Sequence, residues 1–476
     1  MEEITIHNLE TVPLSEIVKQ EYRIYQIYTL MDRAIPYLED GLKPSQRRIL
    51  YTLYKNQSKG LIKVTSLTGL VLTLHPHGPA SIESSIVNLA QDFTFSNNYP
   101  LLDKKGYFGE RMETQAAAGR YIETKLGEVA KLLIFDDMNQ LDMIPNYDEK
   151  VMEPVFFLPK LPLMLINGAE GIGTGFSSVI PSFNHSDIIK SMKQVIETGK
   201  PRRIKPYIRY YDQKIEQEQS RRILFYMKFE QKGEKIFITE LPRGFDAKKI
   251  YKHLNKFVDK DFLKDYIDSS VDNDINIELI FKRGQNPSLE EVESTIGATS
   301  SLVPNYTLIS ERGVKVFEKV EEIIEVFTLR RLEIVKRRYE LLVQDAKERL
   351  SKNNEIIRFI KEKHYAIAEK KANRSAYVEY LDTKKFKFSQ YLADMPIYRM
   401  TKEEVQKRLL LIDEDKEKIK LYTKIFGSPA RIKKELIKEL DEVDVELSKI
   451  MKSKETTKKK ELKMASKVSK KASRRK

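Results

Sequence analysis

Apolar residues recur along this chain with three different rhythms, and the rhythm changes twice. From residue 14 to about 150, short helical patterns alternate with turns marked by glycine and proline. Pro44 suits the first position of a helix in which Ile49, Leu50, Leu53 and Tyr54 share a face, since its fixed φ fits there and no N–H is needed. A second helix is predicted after His77-Gly78-Pro79, with Ile82, Ile86 and Leu89 at helical spacing. Two short helices with polar or basic starts suit a helix-turn-helix or winged-helix module. From about 151 to 304 the texture turns to short β-rich runs, such as 235–239 and 275–280, around a helix over 246–257. That is the pattern of an α+β domain.

From residue 314 onward charge dominates, and apolar residues fall three and four apart: Leu332, Val335, Tyr339, Leu342, Ala346, then Ile356 and Ile360. Such a seam needs a partner helix. Thr401-Lys402-Glu403-Glu404 reads as a capping box, and the stripe Val405, Leu409, Ile412, Ile419, Tyr422 after it supplies the partner. Gly427 ends that helix and Ser428-Pro429 begins another. The expectation is an antiparallel coiled coil whose far end lies near 371–400. The tail, 451–476, is rich in Lys and Ser and poor in large apolar groups, so it is expected to be disordered.

Composition bounds what these elements can do. With 476 residues and 41% hydrophobic content, the chain can bury the cores of several domains. The 84 Lys+Arg exceed the 70 Asp+Glu to give +14, which suggests a polyanionic partner. Of that excess, +10 sits in 452–476, leaving +4 on the rest, so a nucleic-acid path on the body depends on patterning. Cysteine is absent, which excludes disulfides, thiolate zinc sites and cysteine nucleophiles and fits a reducing compartment. The start, Met1-Glu2-Glu3-Ile4, is acidic, and no apolar run approaches the roughly 18–20 residues that span a bilayer, so a cytoplasmic location is expected.

Four segments could carry chemistry. Tyr121 closes the run Ala116-Ala117-Ala118-Gly119-Arg120-Tyr121. A tyrosine is ordinarily a packing residue, with a hydroxyl pKa near about 10. Beside Arg120, which can stabilise charge on a pentavalent phosphate, and small residues that admit a phosphodiester backbone, it also reads as a nucleophile. In His75-Pro76-His77-Gly78 the two histidines lack the further ligands a zinc site needs, and contact with a phosphate at a helix start is the better account. Asp40 to Arg48 places Lys43, Arg47 and Arg48 on a turn and the first turn of a helix, where cations oppose the helix dipole. Phosphate contact or a solvated basic turn both explain it. The glycine-rich run 167–175 lacks P-loop and dinucleotide spacing. It holds Ile172, which is either core or a wedge that enters a base step.

Taken in order, these segments, with Arg33-Ala34-Ile35-Pro36 and 159–181, resemble the A subunit of bacterial gyrase and topoisomerase IV, and less closely the matching half of eukaryotic topoisomerase II. The resemblance runs from about 14 to 444. It implies a multidomain α+β fold: an N-terminal arm (1–30), a winged-helix breakage-reunion domain (31–150), a tower (151–310), and a coiled coil with an exit gate (311–450). It implies ATP-dependent strand passage through a transient double-strand break, with Tyr121 joined to the 5′ phosphate, Arg120 and Arg33 as catalytic partners, and Lys43, Arg47, Arg48, His75, His77 and Ile172 on DNA. The chain itself would bind no metal or cofactor. Magnesium and ATP would be handled by a B subunit with ATPase and Toprim domains, in an A2B2 assembly built on an A-subunit homodimer.

Departures from the family pattern carry expectations too. Pro79-Ala80 stands where Asp-Ser is common, and Ser84 where an acid is usual, so the resemblance implies a poor response to quinolones. Lys104-Lys105-Gly106-Tyr107 replaces Gly-Gln-Gly-Asn, and Gln46 replaces a histidine. A Lys-rich tail in place of the β-pinwheel favours relaxation and decatenation over supercoiling.

Overall fold

The structure, a computed structural model, describes residues 14–473 apart from 77, 214, 219, 220 and 312, and the side chains of 17 and 458–473 are outside the description. His77 therefore lies outside the described residues. Two compact units are present: one holds residues up to 329 together with those from 439 on, and the other holds 330–438. Among the described residues no helix is long and apolar enough to cross a membrane.

The first unit begins with α1 (Leu14–Thr29), continued by a π-helical turn, Leu30–Ala34. Then come α2 (Pro44–Lys55), β1 (Ile62–Lys63), α3 (Val64–Leu72), α4 (Pro79–Ala90), β2 (Leu102–Lys105) and β3 (Glu123–Leu126). Both predicted proline starts are observed. Ile49, Leu50 and Leu53 of α2, Val64, Leu67 and Val71 of α3, and Ile82, Ile86 and Leu89 of α4 are all buried, so the predicted apolar faces meet in one core. The strands pair antiparallel in the order β1-β3-β2, which makes the module a winged helix.

Residue 151 is not where packing against this module stops. Glu153 accepts two hydrogen bonds from Arg48, the Phe157 N–H donates to Asp40, and Asn167 exchanges bonds with the Tyr99 backbone. The tower's own core starts at Met227, with an antiparallel sheet ordered 228–232, 235–240, 277–280, 265–268. Ile236 and Ile238 alternate inward as strand geometry requires, and pack with Ile250 and Leu254 of the helix Ala247–Asp259. Asp246 caps that helix by accepting from the Lys249 N–H.

The second unit contains most of the helix Val320–Lys361, the helix Lys402–Phe426 and the start of Pro429–Ser473. Arg408 donates to Asn353, Arg349 donates to Asp415, and Tyr339 stacks edge-on with Tyr422. Partner numbers rise on one helix as they fall on the other, so the pair is antiparallel. Thr401 caps as predicted, accepting from the Glu404 N–H. The seam is less apolar than predicted: Leu409 is exposed, and the charged Asp415 is buried against Arg349. A small globular core around Phe359, Tyr377, Leu381 and Phe386 closes the far end.

Contrary to the expected disordered tail, the helix from Pro429 runs to Ser473. Its buried stripe, Leu436, Leu440, Val443, Leu447 and Met451, passes residue 450 at helical spacing. Lys454 then bonds Asp103 of β2 and Glu455 bonds Arg209, so the tail's first turns are docked on the first unit.

Candidate active site

The turn from Asp40 to Arg48 is built around a buried carboxylate. Asp40 accepts from the N–H groups of Leu42 (3.0 Å) and Phe157 (3.1 Å) and from Arg47 Nε (2.6 Å) and Nη2 (3.2 Å). The Arg47 guanidinium also lies 4.6 Å from the centre of the Tyr37 ring. Burial opposes its charge, but the adjacent Asp40 carboxylate outweighs that and holds its pKa up. Arg48 is spent on Glu153, at 2.8 and 2.9 Å. Arg47 and Arg48, both expected on DNA, are each paired with a buried acid of the scaffold, Asp40 and Glu153, and a phosphate would compete with those pairs. Gln46 has a local task, accepting from the Lys43 N–H at the helix start.

Lys43 is the cation this turn leaves available. It is partly buried, and desolvation lowers its pKa against the opposing pull of Glu170. With Arg33, Thr29, Ala34, Ile172, Gly173 and Thr174 it lines a cleft of about 380 Å³. The glycine-rich run forms an antiparallel hairpin, Ala169–Ile172 with Ser177–Ile180. Gly171 is required by close approach: a Cβ there would come 1.9 Å from the Ala34 carbonyl oxygen. The run is therefore a tight seat against the π-helical turn, and Ile172 is left 88% exposed. Of the two sequence readings, buried core is excluded and an accessible wedge remains.

His75 is mostly buried, with Nε2 3.7 Å from the Asp32 carboxylate and its ring 5.5 Å from that of Tyr147. Among the described residues no group of three or more His, Asp or Glu side chains could hold a metal ion.

Tyr121 sits in a turn just before β3, on a loop fixed at several points. The Ala117 N–H donates to Tyr107, the Tyr121 N–H to Ala118, and the Val64 N–H to Ile122. Gly119 lies directly against Thr65 and Glu83, where a Cβ would come 2.8 Å from both side-chain oxygens. Those two are themselves joined, Thr65 donating to Glu83 at 3.0 Å. The Ala/Gly run thus lets the loop lie flat on α3 and α4. At its end Tyr121 is 66% exposed, and its hydroxyl has no hydrogen-bond partner among the described residues. The Arg120 guanidinium lies 4.9 Å from its ring centre. Arg33, Lys43 and Ile172 are brought together in the cleft, and Arg120 with Tyr121 on the loop, which is not part of that lining. Glu153, Thr65 and Glu83, which help hold these parts in place, escaped the sequence reading because no periodicity or motif marks them, and Asp40 was read only as the start of the basic turn.

The family of A subunits of DNA gyrase and topoisomerase IV matches residues 33–441. The chain belongs to this family. Among similar proteins, mitochondrial DNA topoisomerase 2 of Dictyostelium discoideum is 31% identical over 369 residues, 74% of this chain and 28% of that protein. DNA topoisomerase 2 of Acanthamoeba polyphaga mimivirus is 39% identical over 218 residues, 44% of this chain and 17% of that protein. The solved DNA-binding, cleavage and re-ligation domain of Plasmodium falciparum topoisomerase II superposes with a TM-score of 0.79 at 25% identity, covering 92% of this chain and 65% of that one. The chain thus spans 28% and 17% of the length of these two relatives. The sequence resemblance ranked bacterial A subunits ahead of eukaryotic topoisomerase II. Eukaryotic and viral relatives at this level carry the type IIA assignment without the narrower bacterial one.

Proposed function

We propose that this chain is the breakage-reunion part of a type IIA DNA topoisomerase. The observation that carries the reading is the exposed Arg120–Tyr121 pair at the end of a loop fixed on the helix pair of a winged helix. In the step proposed, the Tyr121 oxygen attacks a backbone phosphorus, the P–O3′ bond breaks, and the phenolic proton is lost. The 5′ end stays on the tyrosine, and the freed 3′ hydroxyl reverses the reaction. Arg120 stabilises the added negative charge in flight. Arg33 and Lys43 hold neighbouring phosphates in their cleft, and Ile172 bends the duplex by entering a base step. Two copies cut the two strands, and Ile397 and Tyr398, 82% and 71% exposed on the second unit, supply an apolar surface suited to self-association.

Magnesium chemistry and ATP hydrolysis are assigned to a B subunit carrying Toprim and ATPase domains. A surface for such a partner is available: α1 exposes Leu14, Val18, Tyr22 and Tyr25 at helical spacing, an apolar face that nothing among the described residues covers. The test is a plasmid assay with magnesium, ATP and the B subunit, followed by detergent and protease. Linear, protein-linked DNA is expected with the unmodified chain and not with Tyr121→Phe; breaks that persist in Tyr121→Phe would refute the reading.

A further inference from the structure

The stretch leading into the tyrosine loop does not stay on the winged helix. After Tyr107 the chain turns out to the tower and comes back. The ends of this excursion are pinched by one side chain, Gln91, whose Nε2 donates to the carbonyls of Phe108 and Thr114, both at 2.9 Å. At its tip Arg111 is buried, and its guanidinium donates to three tower carbonyls: Phe245 (2.5 Å), Leu241 (3.0 Å) and Pro242 (3.2 Å). Its own N–H donates to the Asp272 carbonyl, and its guanidinium lies 5.1 Å from the Phe95 ring centre. Met112 next to it belongs to the tower's apolar core, and its carbonyl accepts from the Ala247 N–H at the start of a tower helix.

We propose that Arg111 is a positioning residue for cleavage: it plugs the loop presenting Tyr121 into the tower, so the tower's place on the winged helix sets where the phenol stands. The inference rests on the cleavage reading above. Three features carry it. Arg111 is held by tower backbone through both of its Nη groups, with Nε 3.9 Å from the Glu240 carboxylate, and touches no part of the cleft or the tyrosine. The excursion is closed at its neck by Gln91, so a shift at its tip is not absorbed there. The returning strand is tied at once to the tyrosine loop, through the Ala117 N–H to the Tyr107 carbonyl at 3.0 Å. A planar fork meeting three carbonyls is a task for arginine, and a lysine ammonium can satisfy it only in part.

The test uses the chain assembled with its B subunit on a nicked suicide duplex from which religation is blocked. Covalent-complex formation at saturating DNA is timed for the unmodified chain, Arg111→Gln and Arg111→Lys, each corrected for folded fraction by its melting curve, alongside DNA affinity. Displacing a nucleophile by an ångström costs up to about a hundredfold, so Arg111→Gln should slow the step about tenfold or more with Arg111→Lys in between, and affinity should stay within about twofold. An unchanged rate per folded molecule, or a loss that merely follows affinity, overturns the proposal. If Arg111→Gln does not fold, Arg111→Lys carries the same criterion. No covalent complex with the unmodified chain would instead overturn the cleavage reading itself, and the proposal with it.

Discussion

Two neighbouring cations on one turn have opposite tasks, and this sets the energetics at the level of single residues. Arg47 is paired with a fully buried Asp40, whereas Lys43 opens onto a cleft. Removing one member of a buried pair strands the other charge, so Arg47→Ala should destabilise the first unit by about 3–5 kcal/mol. Lys43→Ala leaves no such orphan. It should stay within about 1 kcal/mol of the unmodified chain while weakening DNA binding and lowering its salt dependence by about one counterion. Urea titrations and salt-dependent affinities of both variants would check this; equal stability losses would contradict it. The sequence displayed both cations and Asp40 beside them but not which cation the acid claims, because Asp40 is committed by burial and by Phe157, 117 positions away. Tyr121, in contrast, reads as a candidate nucleophile through its neighbours, and the structure adds that its side chain is accessible.

At the scale of elements, the end of the tower strand Lys235–Glu240 carries a titration. Glu240 is buried, and desolvation lifts its carboxyl to about 7, with Arg111 at 3.9 Å only partly opposing. Its unfolded value is 4.5. Between these values the folded chain holds a proton that the unfolded chain releases, so this group's contribution is intact below pH 4.5 and is lost as pH rises through about 7. Glu240→Gln should remove that dependence, a difference of about 3 kcal/mol between the ends of the window, read from denaturation midpoints against pH. Parallel curves for the two proteins would contradict it. Elements with strong periodicity were readable in advance: the proline-started helices, the Asp246 helix and the N-cap at Thr401 stand where their residues place them, although the Glu404 carboxylate bonds Arg408 and does not close the predicted capping box. Less readable were the limits between bodies. Residues 153–167 close on the winged helix through bonds to residues distant in sequence, and the tail's first turns are held by Met451, Lys454 and Glu455 inside a segment whose composition looked disordered.

On the scale of the whole molecule, that docked tail separates two roles that charge alone confounds. Residues up to about 457 are fixed against β2 and Arg209, while 458–476 add ten Lys/Arg against one Glu. Truncation after Thr457 should therefore keep the folded units intact, lower DNA affinity at low salt and flatten the salt dependence by several counterions. Cleavage at saturating DNA should persist, as the described contacts that fix the tyrosine loop are to Val64, Thr65, Glu83 and Tyr107. Loss of cleavage under those conditions would place the tail in the chemistry. The central claim concerns a single bond. Covalent complexes formed with magnesium and the B subunit, digested with nuclease and protease and read by mass spectrometry, should yield one modified peptide, with the nucleotide phosphate on the oxygen of Tyr121. A nucleotide on any other residue, or none at all, would contradict the account.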